Sequence, residues 1–95
     1  MDARTPDVTY NNTAIGLQLW AGASAEDAKA RYVLVLNTAD VPTAVDMPWT
    51  NAGLQDNDEV VEATEMWSHA PLARLDKLSV LVNATGVAAL RLRLK

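Results

Sequence analysis

The stretch Arg31-Tyr32-Val33-Leu34-Val35-Leu36-Asn37 decides the fold, because its apolar residues occupy both positions of a two-residue repeat. On an extended chain these side chains divide between two sides, with Tyr32, Leu34 and Leu36 opposite Val33 and Val35. β-Branched and aromatic residues favour a strand over a short helix at this point. A strand that is apolar on both sides is covered on both sides. We therefore predict that this segment lies in the interior of a sheet.

Composition sets the class of protein. The chain has 95 residues, 49% of them hydrophobic and 21% charged, which is typical of one globular domain. The net charge is −4, and the basic residues are scattered except at Arg91, Arg93 and Lys95, which argues against a nucleic-acid partner. The apolar runs are shorter than the roughly 20 residues that cross a bilayer, so no membrane partner is expected. Cysteine is absent, which excludes disulfides and thiolate metal sites.

Short alternating segments fill the rest of the chain, and none has a sustained helical period. They cover residues 13–21, 31–37, 41–49, 59–67, 72–75, 78–82 and 86–94. Such a pattern indicates an antiparallel sandwich or a small barrel, and we favour an all-β, antiparallel Greek-key β-sandwich of about seven to eight strands. We assign residues 13–95 to this single domain. Residues 1–12 are polar and contain proline, so they form an extended N-terminal arm.

Two strands give more detailed expectations. In the last strand Leu90, Leu92 and Leu94 alternate with cations, which predicts that the leucines face the core. In residues 59–67, Val61 and Ala63 share one side while Met66 falls on the other. A bulge or a bend near Thr64 would keep both sides buried.

Several motifs, taken in order, resemble the C-terminal β-sandwich domain of melibiase-type α-galactosidases, glycoside hydrolases of the family 27 kind. They are the strand that ends in Asn37, the Gly53-Leu54 pair, the segment Ala63-Thr64-Glu65-Met66-Trp67-Ser68 and the terminal strand. Glu65 stands where that family usually has Asp. In this family the catalytic aspartates lie in an N-terminal (β/α)₈ barrel, which needs roughly 250 residues.

The resemblance implies a non-catalytic accessory domain that packs on and stabilises a catalytic barrel. The isolated domain is then not an enzyme, although its parent is an α-galactosidase-type glycoside hydrolase. The alternative is a free-standing carbohydrate-binding module for galactose-containing carbohydrate. Exposed aromatic rings are what sugar-binding modules stack against, and Trp20 and Trp49 are the candidates. Trp67 ends the family-like motif and is expected to pack.

Other chemistry has little support in the sequence. Glycosidase chemistry needs two carboxylates at a set separation, whereas the acidic residues here lie in one turn and along one strand and are expected to be solvated. Glu65 is the exception, with an expected structural hydrogen bond. His69 is the sole histidine and is expected in a turn. We predict no catalytic residue, no metal site and no cofactor.

Two further expectations concern the surface. Asn11 and Asn83 open Asn-X-Thr sequons, which are glycosylation acceptors in a secreted protein, and we expect a secreted or extracellular location. With Tyr32, Leu34 and Leu36 on the core side, Val33 and Val35 would form the interdomain surface that a barrel buries, with Leu81 or Trp20 as neighbours.

Overall fold

The computed structural model describes residues 7–23, 27–72 and 74–95. In these residues the backbone forms antiparallel strands and one short 3₁₀ helix. The strands are β1 (Asp7–Asn12), β2 (Leu17–Ala23), β3 (Ala30–Asn37), β4 (Thr43–Met47), β5 (Val60–Glu65), β6 (Leu78–Val82) and β7 (Val87–Leu94), with the helix at Trp49–Ala52. The prediction of an antiparallel all-β sandwich is confirmed.

The strands form two sheets. The larger has the order β1-β2-β3-β7-β5, and the smaller consists of β4 and β6. β3 is the central strand of the larger sheet, paired with β2 on one side and β7 on the other, as its two-sided apolar pattern predicts. Part of the segment assigned to the N-terminal arm, Asp7–Asn12, is the edge strand β1 and pairs with β2.

The core fills the space between the two sheets. The larger sheet contributes apolar side chains from three neighbouring strands, all of them 2% exposed or less: Leu17, Leu19, Val33, Val35, Leu90 and Leu92. The smaller sheet contributes Val45, Leu78 and Val82 to the core, and the helix contributes Trp49 and Ala52. The alternation in β7 is confirmed, since its leucines are buried and its arginines exposed.

Several details differ from the sequence analysis. The strand expected over residues 13–21 begins at Leu17, because residues 13–16 form a turn, and the described residues of 72–75 form no strand. The bulge in β5 lies between Val60 and Glu62 and not near Thr64, so that Val60 is buried and Val61 is 43% exposed. The strand expected over residues 41–49 ends at Met47, because Pro48 leads into the 3₁₀ helix. Pro48 fixes its own φ and has no N–H for a strand ladder.

Gly53 explains the Gly53-Leu54 motif. It ends the 3₁₀ helix in the left-handed region, with φ 89°, a conformation that favours glycine. A Cβ at this position would also lie 3.0 Å from Cγ2 of Thr9, on β1. The motif therefore ends the helix and lets it pack closely on the edge of the larger sheet.

Asn37 ties the end of β3 to the smaller sheet. Its side chain is fully buried, and its Nδ2 donates to the carbonyl oxygens of Val41 at 2.9 Å, Asn83 at 3.1 Å and Val82 at 3.3 Å. Its Oδ1 accepts from the N–H of Ala39 at 3.0 Å. The amide thus satisfies backbone groups on both segments that leave the ends of β3 and β6.

Replacing Asn37 should therefore be costly. Asn37→Ala leaves buried carbonyl groups without a donor, and we expect it to lower the free energy of unfolding by about 2 to 4 kcal/mol in urea titrations. Asn37→Asp should cost at least as much, because a carboxylate accepts but cannot donate. Thr38→Ala removes an exposed hydroxyl bond to Gly16 and serves as the control, with a loss below about 1 kcal/mol. Equal losses at both positions would contradict this role.

Candidate functional site

The face of the larger sheet that points away from the core carries two adjacent rows of mostly apolar side chains. Strand register places Val8, Trp20, Leu34 and Ala89 side by side, and the N–H of Met66 donates to Ala89 O at 2.8 Å and continues this row. The next row holds Gln18, Leu36 and Val87. We call Val8, Trp20, Leu34, Leu36, Met66, Val87 and Ala89 the outer patch.

Apart from Ala89, which is 6% exposed, the outer patch is partly or largely open to solvent. Val8, Val87 and Met66 are 44%, 41% and 40% exposed, and Trp20, Leu34 and Leu36 are half-buried. The other half of the same face is polar, with Arg91 opposite Thr64 and Arg93 opposite Glu62. The larger sheet therefore presents an apolar surface bordered by charge.

This geometry corrects the interdomain surface predicted from the sequence. Val33 and Val35 are fully buried between the sheets, and so they cannot meet another domain. The two sides of β3 are exchanged relative to that expectation, because β3 turns its small branched side chains towards the smaller sheet. Tyr32, Leu34 and Leu36 point outward instead.

A second feature is the tight turn after β5, which Glu65 holds together. Its carboxylate accepts from the N–H of Trp67 at 2.7 Å, from the N–H of Ser68 at 3.0 Å and from the Ser68 hydroxyl at 3.2 Å. The backbone of Glu65 also pairs with Ala70 and His69. These bonds to the charged form, foremost that from Trp67, hold the pKa of Glu65 below its ordinary value. The structural hydrogen bond expected of Glu65 is present.

The turn presents Trp67 to solvent. This side chain is 62% exposed, so the expectation that it packs in the domain is wrong. A groove of about 240 Å³ lies beside it, lined in part by Glu65, Trp67, Leu81 and Val87. The consecutive turn residues Ser68-His69-Ala70-Pro71 were the sequence signal that the chain leaves the sheet here.

Trp20 and Trp49, the two tryptophans predicted to contact a sugar, do not lie in this turn, and their surroundings differ. Trp49 is 7% exposed, and its indole N–H donates to Leu75 O at 2.8 Å, so it belongs to the core and not to a sugar platform. Trp20 lies in the outer patch. Its indole N–H donates to Oε1 of Gln18 at 2.8 Å, which fixes the ring against the sheet.

The remaining polar side chains have surface roles. Asp58 accepts from the N–H of Gln55 at 2.8 Å, and Glu59 lies 3.8 Å from Lys95 with both side chains largely exposed. His69 is exposed in the turn, with φ 59°. Within residues 7–23, 27–72 and 74–95, no three His, Asp or Glu side chains gather where they could hold a metal ion. The same residues contain no helix with the length and hydropathy to span a bilayer.

The sequon asparagines are both on the surface. Asn11 is exposed in β1, and Asn83 is exposed where the chain turns after β6. Their glycosylation stays a prediction.

A family model described as the alpha galactosidase C-terminal beta sandwich domain matches residues 15–92. This chain belongs to that family. A search of curated protein sequences found no match. The match to the family model confirms the resemblance seen in the sequence.

Solved structures place the same fold within much longer chains. α-Galactosidase I from Mortierella vinacea superposes with a TM-score of 0.73 at 18% identity, over 92% of this chain and 22% of its own. A family 27 β-L-arabinopyranosidase from Geobacillus stearothermophilus gives 0.77 at 15% identity, over 97% and 20%. The chain thus spans about a fifth of the length of these relatives.

The turn of this α-galactosidase-type domain gives a prediction with a defined sign. Because the pKa of Glu65 is lowered in the folded state, its contribution to stability is complete above its unfolded value of about 4.3 and is lost as pH falls through the folded pKa. At pH 7 we expect the Glu65→Gln variant to have a lower melting temperature than the unsubstituted protein. The difference in melting temperature should shrink towards pH 3. Thermal melts at both pH values measure this. A difference that does not change with pH would show that the charge of Glu65 has no part in the turn.

Proposed function

We propose that the chain is the non-catalytic accessory domain of a glycoside hydrolase of the α-galactosidase type, which packs on a catalytic (β/α)₈ barrel and stabilises it. The observation that carries the proposal is the family match over residues 15–92 in a chain that spans about a fifth of its solved relatives. Four-fifths of such enzymes lie outside this fold.

The chemistry of the described residues agrees with this role. Retaining and inverting glycosidases need two carboxyl groups about 5 to 10 Å apart across the sugar. Glu65 is committed to its turn by four hydrogen bonds, and Asp58 to another turn. Asp46 and Asp76 face Lys77 and Arg74 at the surface, at 2.8 and 2.6 Å. These carboxylates have structural or solvent-facing roles.

We also propose that the parent enzyme is located outside the cell, which the surface position of both sequons supports.

The proposal predicts how activity and stability divide between the parts of the enzyme. Residues 1–95 alone should not hydrolyse a nitrophenyl α-galactoside. The product of the complete reading frame should hydrolyse that substrate or a related glycoside, and deleting residues 13–95 from it should lower the melting temperature of the remainder. Activity assays and calorimetry measure both effects. A reading frame without a catalytic barrel, or turnover by residues 1–95 free of host enzyme, would contradict the proposal.

A carbohydrate-binding module is the second candidate, and Trp67 is the observation that favours it. A largely exposed indole on a turn held by Glu65, beside a groove, is an arrangement on which a pyranose ring can stack. Trp49, which is buried, cannot serve in this way.

Titration with a sugar separates the two candidates. If the chain is a binding module, galactose or melibiose should shift the indole N–H resonance of Trp67 in amide spectra, and Trp67→Ala should abolish binding while Trp49 stays unperturbed. If it is only an accessory domain, millimolar sugar should shift no resonance. The spectrum of the isolated chain decides, because the three indole signals are separately assignable.

A further inference from the structure

We infer that the outer patch is the surface that docks on the catalytic barrel, which places the barrel against the larger sheet and leaves the smaller sheet facing water. The inference rests on the proposed function for its partner. It goes further by naming the face and the side chains that make the contact.

The outward positions of the larger sheet are mostly apolar over half of its face. An antiparallel sheet with one face in water normally carries polar residues at these positions. Here the row Val8, Trp20, Leu34 and Ala89 is apolar across β1, β2, β3 and β7, and Met66, just after the end of β5, continues it. At about 4.8 Å per strand the row is about 19 Å wide. In the next row Leu36 and Val87 are also apolar, beside the polar Gln18. Single exposed apolar residues are ordinary, but a contiguous set marks a surface that something covers.

The outward face of the smaller sheet is more polar than the outer patch. The outward positions of β4 and β6 are Ala44, Asp46, Ser79 and Leu81. Asp46 pairs with Lys77 at 2.8 Å, and so half of that face is polar and already solvated. Leu81 is 67% exposed and stands alone there as a large apolar residue among these four. The smaller sheet therefore has the composition of a free surface.

The helices of a catalytic barrel are suited to cover the outer patch. A (β/α)₈ barrel has an outer ring of helices, and an apolar sheet face is stably covered by helices. The polar half of the larger sheet, with Arg91, Arg93 and Glu62, borders the outer patch. An apolar centre with a charged rim is the usual anatomy of an interface between folded units. The outer patch thus fits a barrel helix or two, with the arginines at the margin.

Paired substitutions test the face. Leu34→Thr combined with Leu36→Thr keeps strand-favouring side chains but makes the outer patch polar. In the product of the complete reading frame we expect this double variant to lower the melting temperature by about 4 °C or more, while in isolated residues 1–95 the shift should be smaller than half of that. Leu81→Thr is the matched control and should change neither protein. Val35→Thr, in the core, should destabilise both.

Each other outcome counts against the inference. Should Leu81→Thr or Trp67→Ala destabilise the complete protein while the double variant does not, the barrel docks on the groove side. Should the double variant destabilise isolated residues 1–95 as much as the complete protein, the outer patch is part of the domain's own stability. A complete reading frame that encodes no barrel removes the proposed function itself. Sedimentation of residues 1–95 would then show whether a second copy covers the patch.

Discussion

The buried amide of Asn37 is the interaction on which the rest of the structure depends. At the end of β3 the chain crosses from the larger sheet to the smaller one. Backbone carbonyl groups at this crossing would be buried without hydrogen-bond donors. The two hydrogens on Nδ2 of Asn37 are shared among the carbonyl oxygens of Val41, Val82 and Asn83. Because unpaired buried carbonyls are costly, this one side chain fixes where the smaller sheet sits over the larger one. β3 itself lies at the centre of its sheet, paired with β2 and β7, and so it has an inner and an outer side.

That division determines which side chains form the outer patch. Val33 and Val35 fill the narrow space between the sheets, whereas Leu34 and Leu36 extend the row that begins at Trp20. A domain of 95 residues buries a modest fraction of its surface, so one core layer is all that two sheets provide. The outer leucines are therefore not a second core of this chain. They stay half-buried on the outward side of the larger sheet.

Much of the fold could be predicted from the sequence, since strict alternation in β7 and the two-sided pattern of β3 are direct consequences of strand geometry. The side of β3 that faces the core could not, because both sides are apolar and only the partner sheet chooses between them. The bulge at Val61 was misplaced for a related reason: Val60 and Val61 are both apolar, and periodicity alone does not say which one is displaced. Trp67 was expected to be buried because it ends the family-like motif, whereas its exposure arises from a turn held by the Glu65 carboxylate.

The central claim is that the larger sheet has its core on one side and a partner domain on the other. Hydroxyl-radical footprinting tests it most directly, because it reads the solvent exposure of each side chain in the intact protein. Trp20, Leu34, Leu36 and Met66 should oxidise several-fold more slowly in the product of the complete reading frame than in isolated residues 1–95, with Leu81 reacting equally in both. Unchanged oxidation of Trp20 and Leu34, together with protection of Leu81, would contradict the account.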